Sequence, residues 1–207
     1  MPDTLLARKP QTAAPALTLV GDIRLTEGRV HEACGLGRHA FAAALAGRCT
    51  GAVVWIGDAE AAGLAAEGLA PYCDPGRLLF VAARRPADRL WALEETLRSG
   101  ATALAVADLD APPALTPVRR LQLAAEAGSQ GGLRPTGLLL TPDPGGAAGV
   151  ESRWRLTPEH APARTRWQAE RLRARMAPPR AFTLSRGPGA PANPAWSATP
   201  YSSSSTA

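Results

Sequence analysis

Lysine is almost missing from this 207-residue sequence: Lys9, inside the first ten residues, is the only one. A P-loop that hydrolyses nucleoside triphosphates needs a lysine reaching the β- and γ-phosphates, so no complete P-loop exists in the chain. Cysteine is scarce and odd in number. Cys34, Cys49 and Cys73 form no C-x-x-C pair, which argues against a disulfide framework and against a zinc site. Histidine is equally sparse. His31, His39 and His160 are too few to suggest a metal centre, and each reads as structural or solvated. No apolar run approaches the roughly 20 residues of a membrane span. The first stretch, MPDTLLARKPQTAAPALTLV, lacks the continuous apolar core of a signal peptide and carries Arg8 and Lys9 well inside. These absences predict a cytoplasmic protein with no membrane association, no metal and no cofactor.

The length suffices for one domain with a proper core. Hydrophobic residues at 45% and charged residues at 20% are ordinary for a globular chain. The net charge of +5 is unevenly spread. Residues 1–150 hold 14 basic and 15 acidic side chains, whereas residues 151–207 hold nine arginines and three glutamates. A basic segment suggests an acidic partner surface or nucleic acid. Its alternative is compositional, because almost every basic residue is arginine in a chain rich in Ala, Gly and Pro. The segment lacks the interleaved aromatics of a single-strand platform.

HEACGLGRHAFAAALAG (31–47) has the outline of a phosphate loop: a short strand, a small-residue turn, then an alanine-rich helix. Only Leu36 separates Gly35 from Gly37, too short a turn to wrap a triphosphate in backbone amides. Arg38 and His39 stand where Lys and Ser/Thr should be. The degenerate loop is therefore Gly35, Gly37, Arg38 and His39. Arginine binds phosphate and stays charged, so weak nucleotide binding without hydrolysis is the most this loop allows.

Beyond residue 28 the pattern alternates. Strands are expected at 29–33, 51–57, 77–83, 101–109 and 135–141. Helices are expected at 37–48, 59–70, 86–100 and 116–128. Pro86 and Gly100 mark the ends of one helix; Thr116 as N-cap, Pro117 at N1 and Gly128 as a stop mark another. Nearly continuous apolar strands alternating with helices indicate a mostly parallel sheet covered on both faces. Residues 1–27 read as a flexible arm and 28–142 as the core. The segment 152–156 reads as a strand, and 166–185 as a basic helix or as two strands joined at Ala177-Pro178-Pro179. Residues 187–207, rich in Pro, Gly and Ser, read as a disordered tail. A chain ending at residue 150 is expected to stay soluble.

The ordered series HEACG, VVWIGDAE, LLFVAA, DRLWALEETLRSG, ALAVADL and RRLQLAAEAG resembles the ImuA family, RecA-like proteins of a bacterial DNA-damage mutagenesis cassette. The resemblance covers about residues 28–185. DRLWALEETLRSG (88–100) followed by RRLQLAAEAG (119–128) is its most specific part. It implies a RecA-like α/β core with a C-terminal β-hairpin over 166–185, making 143–186 a basic β extension. It implies a non-catalytic accessory role in translesion synthesis, a pseudo-ATPase. The partner would be an ImuB-type protein, an inactive relative of Y-family polymerases, with an error-prone replicative-type polymerase engaged indirectly. RecA, DNA and a second copy of the chain are further candidates. Glu60 falls where RecA proteins place the water-activating acid and Asp108 at the Walker B acid; without a held phosphate both read as relics. Partner or DNA contact is assigned to Arg153, Trp154, Arg155, Arg164, Arg166, Trp167, Arg171, Arg173 and Arg175, with a buried hairpin core as the alternative for the two tryptophans. SulA-type cell-division inhibitors share a degenerate core of this kind and give the rival function.

Overall fold

The computed structural model describes residues 14–58, 64–162, 164–190 and 193–202. The chain opens with a hairpin, β1 (Ala16–Val20) and β2 (Ile23–Thr26), which pair antiparallel. β3 (Val30–Cys34) leads into α1 (Arg38–Ala46). Next come β4 (Val53–Gly57), the short α2 (Ala66–Leu69), β5 (Leu78–Ala82) and α3 (Pro86–Ser99). β6 (Leu104–Asp108), α4 (Leu115–Gly128) and β7 (Thr136–Leu140) complete the alternation. Four strands finish the chain: β8 (Ser152–Pro158), β9 (Thr165–Ala174), β10 (Arg180–Ala190) and β11 (Asn193–Pro200).

Nine of these strands form one sheet in the order β11-β10-β9-β8-β3-β7-β6-β4-β5. The six from β8 to β5 run parallel, and β9, β10 and β11 extend the sheet antiparallel. The architecture is the expected α/β one, consistent with a RecA-like core, and 166–185 takes the two-strand form.

Strand alternation divides the core in two. Val53, Trp55, Leu104, Val106, Leu138 and Leu140 join α1 and the β1–β2 hairpin on one face. Val54, Ile56, Ala105, Ala107 and Leu139 meet Leu93 and Leu97 of α3 and Leu121 of α4 on the other. Strands buried on both faces need apolar residues at every position, hence their continuous apolar sequence. The two most recognisable sequence segments are one contact here. A Cβ added at Gly128, ending α4, would stand 2.0 Å from the Leu97 carbonyl of α3, so only glycine lets the two helices approach this closely.

Four expectations need correction. The described part of the arm is the β1–β2 hairpin, held because Leu17, Leu19, Ile23 and Leu25 bury against α1 and the sheet. The described part of the tail contains β11, whose Trp196 packs on Trp167 with ring centroids 5.7 Å apart. Thr116 does not cap α4: the N-cap position is Ala114, and no side chain caps the helix. A chain stopping at 150 would lose β8, the strand between β3 and β9, with its buried Trp154 and Leu156, so it cannot keep this core. Of the helix expected at 59–70, residues 66–69 are helical and 59–63 lie outside the described residues.

Candidate functional site

The turn after β3 is built as a loop-to-helix junction. Gly35 has φ +85°, a left-handed conformation that glycine adopts at no steric cost. The chain then turns through exposed Leu36 into α1. The space in front of this turn belongs to β8. The Gly37 N–H donates to the Leu156 carbonyl at 2.9 Å, and a Cβ at Gly35 would stand 2.6 Å from that oxygen. The Arg38 N–H donates to the Gly35 carbonyl at 3.3 Å. Two amides that a phosphate loop would aim at its ligand are thus spent on protein carbonyls.

The side chains of Arg38 and His39, at the start of α1, converge on one carboxylate. His39 Nε2 lies 2.6 Å from Asp108 Oδ2, and its ring stacks along Trp55. Arg38 Nε lies 4.0 Å from Asp108 Oδ1, and its Nη1 donates to the Gly35 carbonyl. Asp108 ends β6, so the fold brings together three residues the sequence singled out from distant segments. Beside it Trp55, Asp58, Leu64, Phe80 and Val81 line a cavity of about 260 Å3. This is the carboxyl end of the parallel strands, where open α/β sheets keep their ligand crevices. Asp108 lines this cavity, and His39 reaches it from α1 through its hydrogen bond to Asp108. Glu60 lies outside the described residues.

Two buried charges shape this end and escaped sequence reasoning. Glu32 of β3 is fully buried. It accepts hydrogen bonds from Thr141 Oγ1 at 2.7 Å and from the Gly146 and Ala147 amides at 2.9 and 3.1 Å, and it pairs with Arg153 Nε of β8. A lone glutamate inside an apolar strand is the signal that could have found it, since a buried carboxylate must be paired. Arg89 of α3 is likewise buried. It donates to the Ala83, Arg84 and Asp108 carbonyls at 2.8 to 3.1 Å and pairs with Asp110, so it clamps the ends of β5 and β6 together.

The residues expected to meet partners divide by burial. Trp154 and Trp167 are core side chains, 0% and 2% exposed, which matches the alternative reading for both. Arg153 is held by Glu32, Arg155 by Asp143 and Glu170, and Arg166 by Glu159. Arg171 is buried with its guanidinium over the Trp154 ring. Arg164, Arg173 and Arg175 are exposed.

The remaining titratable candidates are structural. His31 is buried; its Nε2–H donates to the Thr26 carbonyl, so Nδ1 accepts from the Ser152 hydroxyl. Burial first, then the Arg29 charge, pushes its pKa down to about 4 against the opposing Thr26 bond. His160 Nδ1 accepts from the Arg166 amide. Burial pushes the Cys34 and Cys49 thiols up to about 11 and about 12, which keeps both as unreactive thiols. Among the described residues no helix is long and apolar enough to cross a membrane, and no cluster of three His, Cys, Asp or Glu side chains is placed to hold a metal.

The fold is that of an α/β protein with a large, mostly parallel sheet, consistent with a RecA-like core, and the turn after β3 is closed by the backbone of β8. No family model matches the chain. Its curated relatives include the proteins named "Protein ImuA" from two strains of Caulobacter vibrioides. Each is 42% identical over 126 residues, covering 55% of this chain and 48% of the relative. The chain spans about half the length of the curated relatives it matches. These matches bear out the resemblance to the ImuA family.

Proposed function

We propose that this protein is a non-catalytic accessory factor of a bacterial damage-induced mutagenesis system. The observation that carries the reading is the 42% identity to Protein ImuA. The geometry of the β3–α1 turn supports its non-catalytic half. The Gly37 amide is taken by Leu156, and Arg38 and His39 are turned toward Asp108, so the turn offers little to a triphosphate. Arg38, His39 and Asp108 act on this reading as a structural relic that fastens α1 to β6. The protein works in the cytoplasm by docking an ImuB-type protein, which in turn engages an error-prone polymerase. RecA, DNA and a second copy of the chain are the further contacts to test.

The test uses the full chain, because a truncation at 150 would remove core strands. Tagged protein is recovered from DNA-damaged cells of the source bacterium, and mutation frequency is measured with and without the gene. Co-purification of an inactive Y-family polymerase relative, with a lower induced mutation frequency in the deletion, is the expected result. Recovery of a division protein with unchanged mutation frequency would replace the accessory role with division inhibition. Magnesium-dependent ATP turnover by the purified chain would remove the non-catalytic half.

A further inference from the structure

The opposite end of the sheet carries a groove that the accessory reading does not yet use. The β1–β2 hairpin, the start of β8 and the β9–β10 turn surround a cavity of about 680 Å3. It adjoins one of about 440 Å3 beside α4, and both are lined by Arg29, Glu151 and Arg175. The combined groove holds Arg24, Arg29, Arg119, Arg171, Arg175 and Arg180 against Asp22, Glu126 and Glu151. Each carboxylate is already engaged: Asp22 by Arg180 at 2.9 Å, Glu151 by Arg175 at 3.4 Å and Glu126 by Arg29. Arg24 and Arg119 are exposed and meet no carboxylate among the described residues. His31 on the floor is neutral and adds no charge at neutral pH.

Charge is only half of the surface. Leu115, Leu123 and Met176 stand in the same groove, 38%, 65% and 82% exposed. A nucleic acid would find guanidiniums here, but neither cavity is lined by a Trp, Tyr or Phe on which a base could stack, and the exposed Leu and Met side chains would gain nothing. A polypeptide carrying both carboxylates and aliphatic side chains satisfies both components, and Arg and Met are residues enriched at protein interfaces. We propose that this groove docks an acidic segment of a partner protein, one in which Asp or Glu is interspersed with Leu, Ile or Met. The proposal rests on the accessory reading and adds to it the chemistry of the docked segment and its place.

The probe is a random peptide library displayed on phage and selected against the full-length chain. Enriched sequences should combine acids with aliphatic residues. A synthetic peptide of that consensus should bind the native chain and lose about tenfold in affinity to the Arg24→Glu, Arg119→Glu double variant, with a smaller loss in Leu123→Ser. Replacing the acids of the peptide by lysine should restore binding to the double variant. All three positions are exposed, and an unchanged circular dichroism spectrum confirms the fold. Enrichment of sequences without acids, or an affinity unchanged in both variants, overturns the proposal. So does a labelled oligothymidine that binds the native chain and is lost in the same double variant, which would make the groove a nucleic-acid site. The accessory reading fails separately. If acidic peptides enrich but no polymerase relative co-purifies from damaged cells, the groove stands without it. If the relative co-purifies equally with native and variant chains, the reading stands and the groove falls.

Discussion

The nine-stranded sheet has two halves built on different rules. In the parallel half, β3, β4, β6 and β7 are covered on both faces, and their side chains are apolar almost throughout. In the antiparallel half, the buried apolar side chains Trp167, Ala169, Phe182 and Leu184 of β9 and β10 belong to one core cluster, and their neighbours in sequence are half-buried. A two-sided strand advertises itself as an apolar run, whereas a one-sided strand shows only alternation. β8, the last parallel strand, carries the antiparallel half on one edge and is joined to β3 on the other, where Glu32 and Arg153 pair across the seam.

That seam carries the largest expected effect. Glu32→Ala leaves the Arg153 guanidinium, the Thr141 hydroxyl and two amides without their buried acceptor. Removing one partner of a buried pair costs about 3 to 5 kcal/mol. Urea unfolding should show a loss of that size with a single transition for both halves. A loss within the range of an ordinary surface substitution would mean that the halves are joined by packing alone.

A second seam residue gives a pH-dependent effect. His31 of β3 bonds to Ser152 of β8, and its folded-state pKa of about 4 lies below the ordinary value of 6.5. Between those values the unfolded chain binds a proton that the folded chain refuses. The stability is therefore fully present above pH 6.5, lost as pH falls toward 4, and constant below that. A proton refused across that interval costs about 1.4 kcal/mol for every pH unit, so the full loss is about 3 kcal/mol. Carboxylates also titrate in this window, so the readout is a difference: native protein should lose more stability from pH 7 to pH 4.5 than His31→Gln. Parallel curves for the two would show that the ring gains its proton without cost.

The contrast also explains what could be read in the sequence. The strands β4, β6 and β7 and the helices α1 and α3 of the parallel half are recognisable because period and length agree, with end signals such as Pro86 and Gly100 of α3. The β1–β2 hairpin is hard to read because its four buried side chains lie in two short strands joined at Gly21-Asp22, and the α1 and sheet residues they pack on are remote in sequence. β11 was hidden by Pro194 and Pro200, which argue against a central strand but are tolerated on an edge. At the candidate site, Gly35, Gly37, Arg38 and His39 were legible from loop spacing, and Asp108 only through the family resemblance. What was not legible is that β8, more than a hundred residues away, supplies the carbonyl that fills the loop. The sequence places Arg153 among partner or DNA contacts for the same reason: its ion-pair partner Glu32 is distant in sequence.

A smaller effect probes the antiparallel side. Trp196 packs β11 onto the core, lying on Trp167 and Tyr72 with ring centroids 5.7 and 6.2 Å away. It is only partly buried, so Trp196→Ala should cost about 2 kcal/mol, below the usual range for a core aromatic. The stronger readout is spatial. Amide exchange should quicken in β10 and β11 while β4 and β6 keep their protection, because local opening follows local contact density. Uniform quickening across the sheet would show that the two halves unfold as one unit.

The smallest effect lies in the parallel half, where the elements were legible but one boundary was not. The sequence Thr116-Pro117 imitates a helix start, with a capping hydroxyl followed by proline at the first helical position. If Thr116 capped α4, replacing it by alanine would cost about 1 kcal/mol. In the fold the helix begins at Leu115, and Thr116 lies exposed inside the first turn with no side-chain cap bond. Pro117 is still tolerated there, because the first-turn amides have no partner within the helix. Thr116→Ala should therefore change stability by less than about 0.5 kcal/mol, within the range of a surface substitution. Alanine's higher helix propensity even favours a slight gain. A loss near the full capping value would move the start of α4 to Pro117 and make Thr116 the cap that its sequence context suggests.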